Sequence, residues 1–106
     1  MKKNQRKDIT EKTVENRLRE RVESADGWCL KLYCMSHTGL PDRLILMPGN
    51  KFYLVETKCI KRGRPTEPSR MQRFVHKKMG LMGIKVWIVN DMETLDLFMI
   101  HITTKI

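Results

Sequence analysis

Asp42, Glu56 and Lys58 are the residues of this chain whose types and spacing could do chemistry. Asp42 follows Pro41 at the mouth of a strand expected over Arg43 to Met47. Pro48-Gly49-Asn50 reads as a turn, and Lys51 to Lys58 as the returning strand of a hairpin. Successive side chains of a strand point to opposite faces. Glu56 and Lys58 therefore share one face with Phe52 and Leu54, while Tyr53, Val55 and Thr57 share the other. A carboxylate and an ammonium two residues apart, at the end of an apolar strand, are not needed for burial. The hairpin also brings Asp42 near Glu56. Two carboxylates and a lysine at one point suit a hard cation, Mg2+ or Mn2+, with a cationic group beside it. The backbone carbonyl of Thr57, between the two site residues, is the natural extra ligand.

The elements that must position these groups follow from periodicity. Thr10 is a plausible N-cap, and Val14, Leu18 and Val22 recur at helical spacing down to about Ser24, with Asp26-Gly27 ending the helix. Glu15 borders that apolar stripe; Glu11, Glu20 and Glu23 are further carboxylates on the same helix. Trp28 to Met35 reads as a strand and Ser36 to Gly39 as the loop into Pro41-Asp42. A second helix is expected from about Ser69 to Leu81, with Met71, Phe74, Val75, Met79 and Met82 on its buried face and Gly80 to Gly83 at its end. Ile84 to Asn90 reads as a central strand covered on both faces. Asp91 can cap a short helical turn from Met92 to Leu95, followed by a last edge strand from Leu97 to Ile102. The order helix, three strands, helix, strand predicts an α/β fold, a central mixed sheet flanked by helices.

The 106 residues suit a single domain, with residues 1–8 expected to fray. The formal net charge is +9, and its distribution is uneven. Residues 58–78 hold eight Lys/Arg and only Glu67, while residues 1–24 net +3 and the remainder −1. Cys59 to Ser69, with Lys61-Arg62-Gly63-Arg64-Pro65, reads as a mobile basic loop. A basic belt beside a carboxylate site suits a polyanion held by its phosphates. No apolar run is long enough to cross a bilayer, and the charged N-terminal stretch has no apolar region behind it, so neither a membrane span nor a secretory signal is expected. Cys29, Cys34 and Cys59 form no CxxC pair, which favours free thiols in a reducing, cytoplasmic compartment over a zinc site with His37.

Gly39-Leu40-Pro41-Asp42, Glu56-Thr57-Lys58, Gln72 and Gly83-Ile84-Lys85-Val86, preceded by Glu15, follow one another in an order that resembles the VRR-Nuc branch of the PD-(D/E)xK nuclease superfamily. The match spans about Thr10 to Leu97; the stretch Cys59 to Pro68 is longer and more basic than the corresponding family loop. The resemblance implies a restriction-endonuclease-like core and a Mg2+- or Mn2+-dependent endodeoxyribonuclease. It points to Glu15 as the helix-borne carboxylate reaching the metal through water, with Glu11 in reserve, and to Gln72 as a residue assisting the site. Branched DNA, such as four-way (Holliday) junctions or flaps, is the implied substrate, and a homodimer the implied assembly. Arg43, Lys61, Arg62, Arg64, Arg70, Arg73 and Lys77 are the residues expected on DNA. A catalytically inactive nucleic-acid-binding module with the same fold is the alternative, and it predicts a broken acidic set.

Overall fold

The structure, a computed structural model, describes residues 5–104. Helix α1 spans Glu11–Ser24, with Thr10 capping it through a bond from the Thr13 amide. Strands β1 (Trp28–Lys31), β2 (Arg43–Met47) and β3 (Lys51–Thr57) follow as an antiparallel meander. A small hairpin, β4 (Ile60–Lys61) and β5 (Arg64–Pro65), precedes α2 (Arg70–Leu81). Strand β6 (Val86–Val89) then pairs parallel to β3, giving the sheet order β1-β2-β3-β6. The chain closes on α3, Met92–Thr103. A central mixed sheet flanked by helices is thus what the residue pattern predicts.

One sheet face is packed. Cys29, Ile45, Val55 and Val89 point toward α1 and α3, where Val14, Leu18, Val22, Leu95, Phe98, Met99 and Ile102 complete a single buried cluster. Tyr53 and Trp87 lie over Phe98 in edge-to-face contacts. α3 replaces the edge strand expected over residues 97–102. Leu95, Phe98, Met99 and Ile102 recur at helical spacing, and Asp91 starts the helix with a capping box shared with Thr94.

The other face is poorly covered. The cross-strand row Trp28–Leu46–Phe52 and the adjacent row Leu30–Leu44–Leu54–Val86 lie there. Trp28 is 61% and Phe52 66% exposed. Among the described residues only α2 packs on this side, and none of its residues is buried. The apolar stripe expected inside on α2 is therefore largely open, with Phe74 at 63% exposure. Its residues line a shallow groove with Ser36 to Thr38 and Leu40.

Further expectations change. β1 ends at Lys31 rather than Met35, and β6 begins at Val86 rather than Ile84 and lies at the edge of the sheet rather than at its centre. The basic stretch after Lys58 is an ordered hairpin. Residues 5–8, expected to fray with residues 1–4, lie against it; residues 1–4 fall outside the described residues. Among the described residues, no helix is long and apolar enough to cross a membrane.

Candidate active site

The site forms where β3 ends, because that end is reached from both sides of the sheet. Strand alternation sends Thr57 toward α1 and Glu56 toward α2. Asp42 arrives beside them from the loop entering β2, whose register sets Arg43 opposite Val55. The Thr57 amide donates to Asp42 Oδ2 at 2.8 Å, and the Thr57 hydroxyl donates to the same oxygen at 2.5 Å. Both bonds fall on Oδ2, so Oδ1 is the oxygen left to face a ligand. Upstream, Gly39 has a φ of +84°, and a Cβ there would run into the Met71 backbone at 2.8 Å. Glycine is what lets the Gly-x-Pro-Asp loop pass under α2.

α1 brings two carboxylates rather than one. Glu11 and Glu15 are one turn apart, hence on one helix face, and each offers an oxygen within 4.8 Å of the others and of Asp42. The reserve candidate and the preferred one thus lie together. The Thr57 hydroxyl also lies 3.4 Å from Glu15 Oε1. Arg43 Nη2 stands 3.2 Å from Glu15 Oε2, and its side chain is only 15% exposed. Arg43, expected on DNA, lies on the α1 side of β2 and is paired with Glu15.

Glu56 is buried to 1% exposure on the opposite side. Gln72 Nε2 donates to its Oε2 at 2.8 Å, and Lys58 Nζ lies 3.6 Å from the same oxygen. Gln72 is held by its own helix end. Ser69 caps α2 through the Gln72 amide, and the Gln72 side-chain oxygen accepts from the Ser69 amide at 2.8 Å. The capping box fixes the amide oxygen and so aims the amide nitrogen at Glu56. His76, one turn on, puts Nε2 3.6 Å from Glu56 Oε1, and neither atom has a hydrogen-bond partner.

These surroundings set the proton affinities. Burial, and then the charge of Asp42, push the Glu56 carboxyl up to about 8, with Lys58 opposing. Burial raises Glu11 as well, aided by Asp42. His76 is lowered by burial and then by the Lys58 charge, which favours its neutral form. Carboxyls gathered at one strand end, with Glu56 and Glu11 raised in proton affinity, are a donor set that fits a divalent cation.

Of the expected site residues, Asp42, Thr57 and Glu15 are joined by contacts on the α1 side and Glu56, Lys58 and Gln72 by contacts on the α2 side; the carboxylate cluster is Glu11, Glu15 and Asp42 and does not take in Glu56. Lys61, Arg62 and Arg64 are exposed on the hairpin, and Arg70, Arg73 and Lys77 on α2. The Thr57 hydroxyl and His76 were not singled out from the sequence. His76 is four residues after Gln72, and that spacing was the available signal.

No family model matches the chain. A protein named as a candidate nuclease, p44, of Acyrthosiphon pisum secondary endosymbiont phage 1 is 28% identical over 86 residues, covering 80% of this chain and 87% of that protein. A solved structure described as a VRR_NUC domain superposes with a TM-score of 0.76 at 26% identity, covering 88% of this chain and 98% of its own. The chain therefore shares the fold of that VRR_NUC domain and is similar to it and to the phage nuclease over most of its length.

Proposed function

We propose that the protein is a Mg2+- or Mn2+-dependent endonuclease that hydrolyses phosphodiester bonds in DNA. One observation carries this reading: Glu11, Glu15 and Asp42 converge within 4.8 Å at the end of β3, with Glu56 and Lys58 directly behind them. An inactive binding module would have no need of this intact acidic set. Asp42 and the α1 carboxylates would hold the cation, with Glu56 and the Thr57 carbonyl completing the set. When bound, the ion supplies Lewis acidity toward the phosphoryl oxygens and raises the acidity of water. The chain's own residues do the rest. Hydrolysis forms a bond from a water oxygen to phosphorus and breaks the bond to the leaving oxygen, so a proton must leave the water and negative charge builds on the phosphoryl group. Thr57 and Arg43 fix the carboxylates that face the ion. Gln72 fixes Glu56. Lys58, its side chain 15% exposed, aims a cation at the place where charge develops.

Branched DNA and a homodimer belong to this proposal. Two sites related by a two-fold axis suit two strands of a junction. The bare row Trp28–Leu46–Phe52, continuing toward the open side of α2, is a surface suited to a second copy of the chain. Replacing both aromatics (Trp28→Asp with Phe52→Asp) should convert a dimer of about 25 kDa into a 12.6 kDa monomer in sedimentation equilibrium. A double variant that still sediments as a dimer would place the interface elsewhere. The three cysteines, all unpaired, suit action in a reducing, cytoplasmic compartment.

The activity is tested with labelled linear duplex, flap and four-way-junction DNA, incubated with protein in Mg2+, in Mn2+ or in EDTA. Cutting that requires the metal and is at least tenfold faster on a branched substrate supports the whole reading. Equal rates on all three keep the nuclease and remove the branch preference. Binding with no cutting in either metal favours the inactive module.

A further inference from the structure

The hairpin that follows Lys58 is built around an acidic residue. Its tip, Arg62-Gly63, has both residues at positive φ, 56° and 76°, the mirror-image turn that a two-residue hairpin requires. Gly63 adopts this region freely. Arg62 does so only where something outside the turn fixes it. Asp8 is that fixture: its Oδ2 accepts from the Arg62 amide at 3.1 Å and its Oδ1 from the Gly63 amide at 2.8 Å. The segment around it is paired as well. The Arg6 amide donates to the Gly63 carbonyl at 3.0 Å, and Ile9 and Ile60 exchange both backbone bonds at 3.1 and 3.2 Å. Ile60 is 2% exposed. Asp8 takes part in no ion pair among the described residues, although it stands in the most basic region of the chain. Its carboxylate is spent on two backbone amides.

The consequence is that Lys61, Arg62 and Arg64 are exposed on a rigid support instead of a loose loop. A groove runs from the foot of this hairpin to the first turn of α1. Asp8, Thr10, Glu11, Cys59 and Lys61 line it, so it ends at one of the carboxylates of the active site.

We propose that Asp8 is a positioning residue for substrate: it locks the β4–β5 hairpin so that Lys61, Arg62 and Arg64 meet the phosphodiester backbone of the DNA strand that enters the active site along this groove. The proposal rests on the nuclease reading above. It makes an unusual demand of a negative charge. Removing a carboxylate from a basic surface ordinarily strengthens DNA binding, because repulsion falls. The freed pair of tip amides could itself accept a phosphate, which would act in the same direction. Here its removal weakens binding, because the cations lose their common geometry.

The test is fluorescence anisotropy of a labelled duplex over a NaCl series, with Ca2+ in place of Mg2+ so that nothing is cut, together with cleavage kinetics in Mg2+. Asp8→Ala should bind about fivefold more weakly, with the slope of log K against log salt shallower by about one, as when one phosphate contact is lost. KM should rise while kcat holds. Arg62→Ala should do the same, and the double variant should be no more than about twofold weaker than Arg62→Ala alone. Asp8→Asn, which keeps the size and one acceptor, should fall between wild type and Asp8→Ala, and it carries the test if the alanine variant does not fold. Binding by Asp8→Ala that equals or exceeds wild type overturns the proposal, as does a double variant that shows the full product of the two losses. A wild-type protein that binds no DNA would overturn the nuclease reading and this proposal together.

Discussion

Asp42→Ala should lower the cleavage rate by about a thousandfold or more, the loss expected when several kcal/mol of metal-borne charge stabilisation disappear. The fold should survive. The variant leaves the Thr57 amide and hydroxyl without their shared acceptor at Oδ2, which costs about 1–3 kcal/mol. A second effect offsets part of it. Asp42 is one of the causes that raise the Glu56 carboxyl, so its removal relieves a repulsion within the site. Asp42→Asn separates the two: its amide oxygen can still accept from Thr57 while its charge is gone. Equal loss of cleavage in both variants, with Asp42→Asn close to wild type in thermal unfolding, assigns the effect to charge. Retained cleavage in Asp42→Asn would remove Asp42 from the ion's ligands.

Glu56→Gln is the second large effect, and it has opposite signs for activity and stability. The buried carboxyl of the metal-free protein titrates near 8, against an ordinary value near 4.3 for an exposed glutamate. The folded state therefore holds a proton that the unfolded chain gives up between those two values. This contribution to stability is complete below about pH 4.3 and is lost as pH rises toward 8. Wild type, free of metal, should thus unfold more easily at pH 8.5 than at pH 5.5. Glutamine copies the neutral carboxyl and can still accept from Gln72. Glu56→Gln should match wild type near pH 4.3, exceed it slightly at pH 5.5, and exceed it by roughly 2–4 kcal/mol at pH 8.5, the order set by 1.36 kcal/mol for each tenfold change in proton affinity. Mg2+ should reverse the ranking. It raises the melting temperature of wild type increasingly with pH and leaves the variant almost unmoved. Denaturation at the two pH values, with and without Mg2+, measures all of this. A variant no more stable than wild type at pH 8.5 would mean that Glu56 is ionised and compensated without the ion. Cleavage should fall about a thousandfold in this variant also.

The hairpin was legible because two apolar runs flank the short Pro48-Gly49-Asn50 turn, and the register it sets decides what Glu56 and Thr57 face. The helix α3 was hidden by excess. Leu97 and Ile100 are apolar yet 61% exposed, so they fill the gaps in a stripe that Leu95, Phe98, Met99 and Ile102 would otherwise have shown at helical spacing. For α2 the stripe itself was visible, but periodicity says only that a helix has an apolar side, not what covers it. Arg43 counted as one more positive charge until the fold set it beside Glu15, 28 positions away. Asp8 acts through amides more than fifty residues distant, and nothing in its local sequence announces that. Only the resemblance ranked Glu15 above Glu11, since one helical turn separates them and both reach the same point.

The absence of buried residues on α2 has a consequence for the time scale on which the site exists. The rest of the fold shares one buried cluster, whereas α2 adds no buried side chain to it and meets the sheet through contacts such as that of Gln72 with Glu56. Such a helix belongs to the low-energy end of the native ensemble. Each time it lifts, water reaches Glu56, its proton leaves at ordinary acidity, and the site must be reassembled when the helix returns. The Gln72 contact with Glu56 thus rests on the part of the fold with the least buried surface to hold it in place.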